Sequence, residues 1–395
     1  MRLLFVGQGV EFARPPETGR RQEWLVERVA GAEQAALRLG RGGVDLVVAA
    51  ATAEFETGVP LWDWLRREFP AIPRISLVAP EDSQRAARLF GRVHQQLAVP
   101  IDPDALQFAV ERALLVFELV REPALRELLA GIDSLPSLPA VYRGILAELN
   151  TKDPSLQRVG EQVAQDVAIC ARVLQVANSA LYGLHHEISD PIRATVHIGL
   201  ESTKALALSI GLMAEFEGPT LPAGFLDEFM HHSLNVGIFA KAIGQAEGLD
   251  EAACDTTLCA GLLHDLGRLF LAARLPREFE AVRRFHERKG SSMYRAEQEV
   301  LGTTHAELGA YLIGLWGLPD DVLFGVRHHH APARAARKDF SPALAVHIAD
   351  RMHHALRAGW PPEAATEVDL AELERLEMGA LLPTWGRICE AAELS

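Results

Sequence analysis

The residues of this chain best suited to chemistry are histidines and aspartates. His264 and Asp265 stand side by side in the apolar run LCAGLLHDLGRLFLAA. Burying an imidazole and an acid there is costly unless something satisfies them. A divalent metal does so, because it takes nitrogen and oxygen ligands together. His232, His305, His329, His330 and Asp350 recur at intervals of roughly 20 to 40 residues, a spacing at which successive bundle helices can aim side chains at one site. Each residue also has an ordinary alternative. His264 and Asp265 could be plain helix content, and His232, beside His231, a surface histidine. His305 follows Thr303 and Thr304 at a helix start, where capping is the competing role. The run His328–His330 could be solvated, and Asp350 could cap a helix or form an ion pair.

The elements that must position these groups fall into two regions. Short apolar runs at Leu3–Val6, Asp45–Ala50, Arg74–Ala79 and Gln95–Pro100 alternate with helical patterns such as AEQAALRLG and EDSQRAARLFGRV. That alternation predicts a parallel sheet covered by helices on both faces. From Asp104 the pattern becomes helical. The stretch Asp104–Ala130 predicts a near-continuous connecting helix, interrupted at Pro123, with Phe108, Val110, Ala113, Leu114 and Phe117 on its buried face. Beyond it the chain reads as helix after helix, including RVGEQVAQDVAICARVLQVANSALYG as a single pattern ending at Gly183. HHHAPARAARKDFSP reads as a long polar loop, and VDLAELERLEMGALL as an amphipathic helix near the end.

Composition narrows the function. The 395 residues include 53 acidic and 39 basic side chains, for a formal net charge of −14. Nucleic acid is therefore an unlikely partner, since general phosphate-backbone binding depends on Lys and Arg. The four cysteines (Cys170, Cys254, Cys259 and Cys389) form no CxxC pair, as expected of reduced thiols in a cytoplasmic protein. The N-terminus MRLLFVGQGV is too short and too weakly charged for a signal peptide or a membrane span.

The order VDLVVAA, IPRISLVA, VPIDPDAL resembles the receiver domain of response regulators over about residues 1–120. The resemblance implies a flavodoxin-like parallel sheet. It also places Gly7 and Gln8 where that family has an acidic pair, Ala50 at the phosphoacceptor aspartate, Val78 at the Thr or Ser, and Val99 at the Lys before Pro100. A pseudo-receiver that cannot accept phosphate is the expectation. The Pro-Pro pair in VEFARPPETGRRQ is also foreign to a first helix.

The remainder resembles the HDOD family of bacterial signalling output domains, most clearly from Leu128 to Ala355. The matching segments include IDSLPSLPAVYRGILAEL, VAQDVAICARVLQVANSALYG, HHSLNVG, AGLLHDLGRL, EVLGTTHAELGAYLIGLWGLP, VRHHHAP and VHIAD. This implies an all-α domain over residues 121–395 after the 1–120 receiver-like domain. It also implies a metal site at His232, His264, Asp265, His305, His329, His330 and Asp350, occupied by iron, manganese or zinc. In the related hydrolases such ions bring the pKa of a bound water from about 16 toward 7. Arg268 stands where cyclic di-GMP-cleaving relatives carry a Lys, and is the candidate for holding a phosphate. The Gly-Tyr-Pro segment of those enzymes is absent. His185, His186, His353 and His354 fall outside the matched positions and read as surface residues. The expected function is signal transduction through protein contacts. The alternative is a metal-dependent phosphohydrolase acting on a nucleotide or cyclic dinucleotide. A homodimer and a bound nucleotide are left open, and no membrane association is expected.

Overall fold

Four apolar runs and one polar stretch near the start of the chain assemble into a single parallel sheet. The computed structural model describes residues 1–7, 24–69, 72–79, 82, 89, 92–101, 103–119, 123–130, 139–149, 151, 153–182, 188–216, 221, 224–335, 339–359 and 369–394. The chain divides into two units, Met1–Leu135 with Tyr311–Leu318, and Pro136–Ala310 with Pro319–Ser395.

In the first unit the strands are β1 (Arg2–Val6), β2 (Leu25–Val29), β3 (Leu46–Ala50), β4 (Arg74–Val78) and β5 (Gln95–Ala98). The described helices are α1 (Ala32–Leu39), α2 (Leu61–Glu68), α3 (Pro103–Leu119) and α4 (Pro123–Ala130). Strand order is β2-β1-β3-β4-β5, every pair parallel, which is the flavodoxin-like order. The inner strands β1 and β3 are almost wholly buried, as continuous apolar runs require when both faces are covered. Ala32, Ala35 and Leu39 of α1 with Leu61, Trp62 and Leu65 of α2 pack on one cluster of sheet residues. Leu106, Ala109, Val110 and Ala113 of α3 pack on the other.

One strand has no counterpart among the expected runs, and one expected helix face is rotated. β2 has no apolar run to announce it: its sequence LVERV is an edge strand with exposed and half-buried positions, tied in by Glu27 to Arg2 and Arg38. The buried face of α3 is also rotated from the expected one. Val110 and Ala113 lie on it, but Phe108 is 60% exposed, because the face follows the spacing 106, 109, 110, 113. The first half of this helix is thus a layer of the α/β unit. The Phe117 side chain, the Pro-Pro pair, Gln8 and most of EDSQRAARLFGRV lie outside the described residues.

The described elements of the second unit are helical. They are α5 (Ala140–Leu149), α6 (Leu156–Val163), α7 (Val167–Ala177), α8 (Pro191–Ile198), α9 (Leu200–Ala214), α10 (Phe225–Ala246), α11 (Glu251–Leu263) and α12 (Leu266–Arg274), followed by α13 (Pro276–Lys289), α14 (Met293–Leu301), α15 (His305–Leu315, of which the residues through Ala310 belong to this unit), α16 (Asp320–His328), α17 (Pro342–Arg357), α18 (Leu370–Arg375) and α19 (Leu382–Ala392). The pattern expected as one helix through Gly183 is two helices and a 3-10 turn at Ala180–Tyr182. Asp166 breaks it, since its side chain accepts the Ile169 N–H and starts α7 anew. The centre is α10, buried on every side from Ser233 to Gly244 and packed against α11, α17 and α19. No described helix is long and apolar enough to cross a membrane.

Candidate metal centre

Two close helix crossings build the site. Gly261 on α11 meets Gly237 on α10 so tightly that a Cβ on Gly261 would lie 2.6 Å from the Gly237 Cα. This draws α10, with His232, against the end of α11, with His264. The apolar run around His264 and Asp265 is not one helix. It breaks at this pair, with His264 ending α11 and Asp265 standing just before α12. A Cβ on Gly267 would lie 2.0 Å from the His305 carbonyl oxygen, so only glycine lets α12 approach the start of α15. Thr304 caps α15 reciprocally with Glu307: the Thr304 N–H donates to Oε2 at 3.0 Å, and the Glu307 N–H donates to Thr304 Oγ1 at 3.3 Å. Capping therefore falls to Thr304, and the His305 ring is directed into the site. His329 and His330 follow α16, and Asp350 lies within α17.

These side chains form two adjoining groups, His232 with His264 and Asp350, and Asp265 with His305, His329 and His330. In the first, His232 Nε2 lies 3.1 Å from His264 Nε2 and 3.4 Å from Asp350 Oδ1. In the second, His305 Nε2 lies 2.9 Å from His330 Nε2, 3.1 Å from Asp265 Oδ1 and 3.4 Å from His329 Nε2. Atoms bound at about 2.0–2.2 Å to one shared ion stand about 3 Å apart at neighbouring positions. Hydrogen bonds set the tautomers. Nδ1 of His264 donates to the Gly261 carbonyl (2.7 Å), and that of His329 to the Val326 carbonyl (2.6 Å). Nδ1 of His305 donates to Glu297 Oε2 (2.6 Å). In their neutral forms all three rings therefore turn an Nε2 lone pair into the site. Lone pairs facing one another at such distances repel unless a cation lies among them, so the donor set fits a metal ion.

The electrostatics agree. Burial alone would raise the Asp265 carboxyl, but His264, His305 and Arg268 hold it well below the usual range. Asp350 is likewise held low against its burial by Arg351, His232 and His354. Burial would lower His305, yet Glu297 and Asp265 push it up to about 10. Burial, reinforced by neighbouring histidines, keeps His329 and His330 neutral, well below the ordinary imidazole value. Anionic oxygens beside the neutral His329 and His330 thus invite positive charge, either a proton on His305 or a metal ion that displaces it. The groups lie at a cleft of about 1000 Å³, which Asp265, His305, His330 and Asp350 line together with Arg268 and Tyr294.

All seven histidines and aspartates singled out by spacing are brought together here. Arg268 lines the cleft and pairs with Asp265 at 3.3 Å. His328 does not join; its ring stacks on Phe324. His353 is a correction, since it is 1% exposed and its Nδ1 lies 2.9 Å from His232 Nδ1. His354 is exposed but reaches Asp350 Oδ1 at 3.3 Å. His185 and His186 lie outside the described residues. Glu297, Gly261 and Gly267 carry no ligand signal of their own in the sequence. The glycines stood in the quoted AGLLHDLGRL motif, whereas Glu297 looked like any acid in a polar helix.

Residues 135–332, about half of the chain, match the family described as the HDOD domain. A solved HDOD domain protein of unknown function from Geobacter sulfurreducens is 25% identical, with a TM-score of 0.50 over 67% of this chain and 98% of its own. A Shewanella amazonensis SB2B protein, whose phosphohydrolase name is provisional, is 22% identical with a TM-score of 0.51, over 69% of this chain and 99% of its own; at that identity the likeness concerns fold alone. An uncharacterised protein of Treponema pallidum strain Nichols is 26% identical over 199 residues, which is 50% of this chain and 38% of that relative's length.

Proposed function

The chain belongs to the HDOD family, and we propose that this member is a bacterial signal-transduction protein whose helical unit binds divalent metal. His232, His264 and Asp350 would hold one ion, and Asp265, His305, His329 and His330 another. The carrying observation is the set of facing Nε2 atoms at 2.9–3.4 Å, whose opposite ring nitrogens are hydrogen-bonded at His264, His305 and His329. Nitrogen-rich mixed ligation favours iron, manganese or zinc over magnesium, which prefers oxygen. Glu297 orients His305 through two bonds to one oxygen, from the ring and from the backbone N–H at 2.8 Å. Arg268 and Arg351 hold Asp265 and Asp350 in place. The α/β unit would act as a pseudo-receiver, because the carboxyl ends of β1 and β3, where this topology binds ligands, carry Gly7 and Ala50. Its input and the helical unit's output would pass by protein contact in the cytoplasm, in a monomer or a homodimer.

Metal analysis of the purified full-length protein tests this reading. Bound iron, manganese or zinc is expected, and it should be lost in the His264→Ala, Asp265→Ala double variant. A wild type that stays metal-free after incubation with each of the three ions would refute it.

The second reading, a metal-dependent phosphohydrolase, is favoured by one observation, that both groups open on the cleft beside Arg268. A bound ion would supply Lewis-acid charge and an activated water there. Cyclic di-GMP should turn over slowly or not at all, because the Gly-Tyr-Pro segment is missing. Rapid turnover abolished by the double variant would promote the enzyme reading.

A further inference from the structure

Arg268, Arg295, Arg334 and Arg351 all line the same cleft, in a chain whose net charge is −14. Two of them are accounted for, since Arg268 pairs with Asp265 and Arg351 with Asp350. Arg295 and Arg334 form no ion pair among the described residues, and both are exposed. The cleft lining around Arg295 has other features suited to an anion. Ser292 caps α14 by accepting the Arg295 N–H, and the first N–H groups of that helix, from Met293 and Tyr294, have no intrahelical acceptor. A helix start of this kind attracts phosphate oxygens. Ser291 Oγ, in the same lining, is buried without a hydrogen-bond partner. Tyr294 joins this lining to the metal groups, for its ring lies 4.8 Å from that of His330 and it feels the charge of Arg334.

We infer that Arg295, Arg334, Ser291 and the start of α14 form a second anion subsite, and that the cleft takes a nucleotide bearing two phosphate groups. One phosphate would lie at the metal groups and the other at the arginines. This rests on the metal reading above for the first phosphate only. The size argument points the same way. About 1000 Å³ is at the upper end of small-molecule pockets and far exceeds what a lone phosphate fills. A planar guanidinium without a carboxylate partner is also the group best shaped for bidentate phosphate binding.

The test is calorimetric titration of the metal-loaded full chain with AMP, ADP and adenosine 3′,5′-bisphosphate. At least one of the two-phosphate probes should bind tenfold or more tightly than AMP. The Arg295→Ala, Arg334→Ala double variant, altered only at exposed positions, should keep its metal and its AMP affinity while losing that preference. Equal affinity for all three probes, or a preference that survives in the variant, overturns the proposal. Failure of the metal reading is visible separately, as a wild type without metal. In that protein ADP should still bind and lose affinity in the arginine variant, and ADP binding indifferent to those arginines would again overturn the subsite.

Discussion

His353 gains its importance from which nitrogen of His232 carries a proton. If His232 Nε2 offers its lone pair to an ion, its Nδ1 must be protonated and donate to His353 Nδ1, 2.9 Å away. His353 can accept because burial first, and then the neighbouring His232, lower its pKa to about 3 and keep it neutral. Its remaining N–H is then left on Nε2, which is buried without a partner. His353→Leu should weaken metal binding by about 10- to 100-fold, the usual effect of removing a group that orients a ligand. Chelator competition measures this, and wild-type affinity in the variant would reduce His353 to packing. A second buried residue acts on stability alone. Lys241 Nζ bonds Asp255 (2.7 Å), Ser202 (3.0 Å) and Tyr182 (3.1 Å), tying α9, α10 and α11 to the 3-10 turn. Lys241→Met leaves Asp255 with the Ser202 hydroxyl, which donates to it at 3.0 Å, and should cost about 1–3 kcal/mol in urea unfolding. Burial lowers the Lys241 pKa, but Tyr182 and Asp255 outweigh it and the net shift is upward. Its stabilisation is therefore complete below the unfolded-state pKa of about 10.4 and is lost as pH rises through the higher folded value. Wild type should lose stability above that range, and Lys241→Met should lack this component.

Among the elements, the glycine crossings decide whether the site exists. A methyl group at Gly267 would collide with backbone, which cannot rotate away as a side chain could. Gly267→Ala should push α12 from α15 and separate Asp265 from His305. Overpacking of this kind costs about 1–3 kcal/mol. The expected result is a lower melting temperature together with loss of metal from the group containing His305. Gly199→Ala is a useful contrast: Gly199 has φ +83° with nothing within 4 Å, so its strain is local and metal content should be retained. The break between α11 and α12 matters in the same way. A continuous helix would turn consecutive side chains about 100° apart, whereas this junction lets His264 and Asp265 serve two adjoining groups.

For the molecule as a whole, the two units differ in the chemistry their residues offer. The α/β unit keeps the flavodoxin-like strand order but presents Gly7 and Ala50 at the ends of β1 and β3. It should therefore gain no phosphoryl group from acetyl phosphate and magnesium, as read by intact mass. An acid-labile adduct on residues 1–120 would end the pseudo-receiver reading. The chemical potential of the chain is concentrated in the helical unit, where the seven histidines and aspartates converge among residues drawn from α10 to α17.

The alternation of apolar runs and helical patterns determined the fold class, because local periodicity governs which faces can be buried. The types and spacing of His232, His264, Asp265, His305, His329, His330 and Asp350 pointed to metal, because ligand chemistry resides in the residue itself. Edge strand β2 was not legible, since a strand with little to bury carries no apolar signal. The sequence pattern puts Phe108 on the buried face of α3, yet it is exposed, because an apolar residue near the border of a stripe is settled only by what it packs against. The division into two groups, the tautomers set by Gly261, Val326 and Glu297, and the burial of His353 were decided by tertiary structure alone. Each depends on atoms brought within hydrogen-bond reach by crossings such as Gly237 with Gly261, and those crossings join segments whose separation along the chain says nothing of their distance in space.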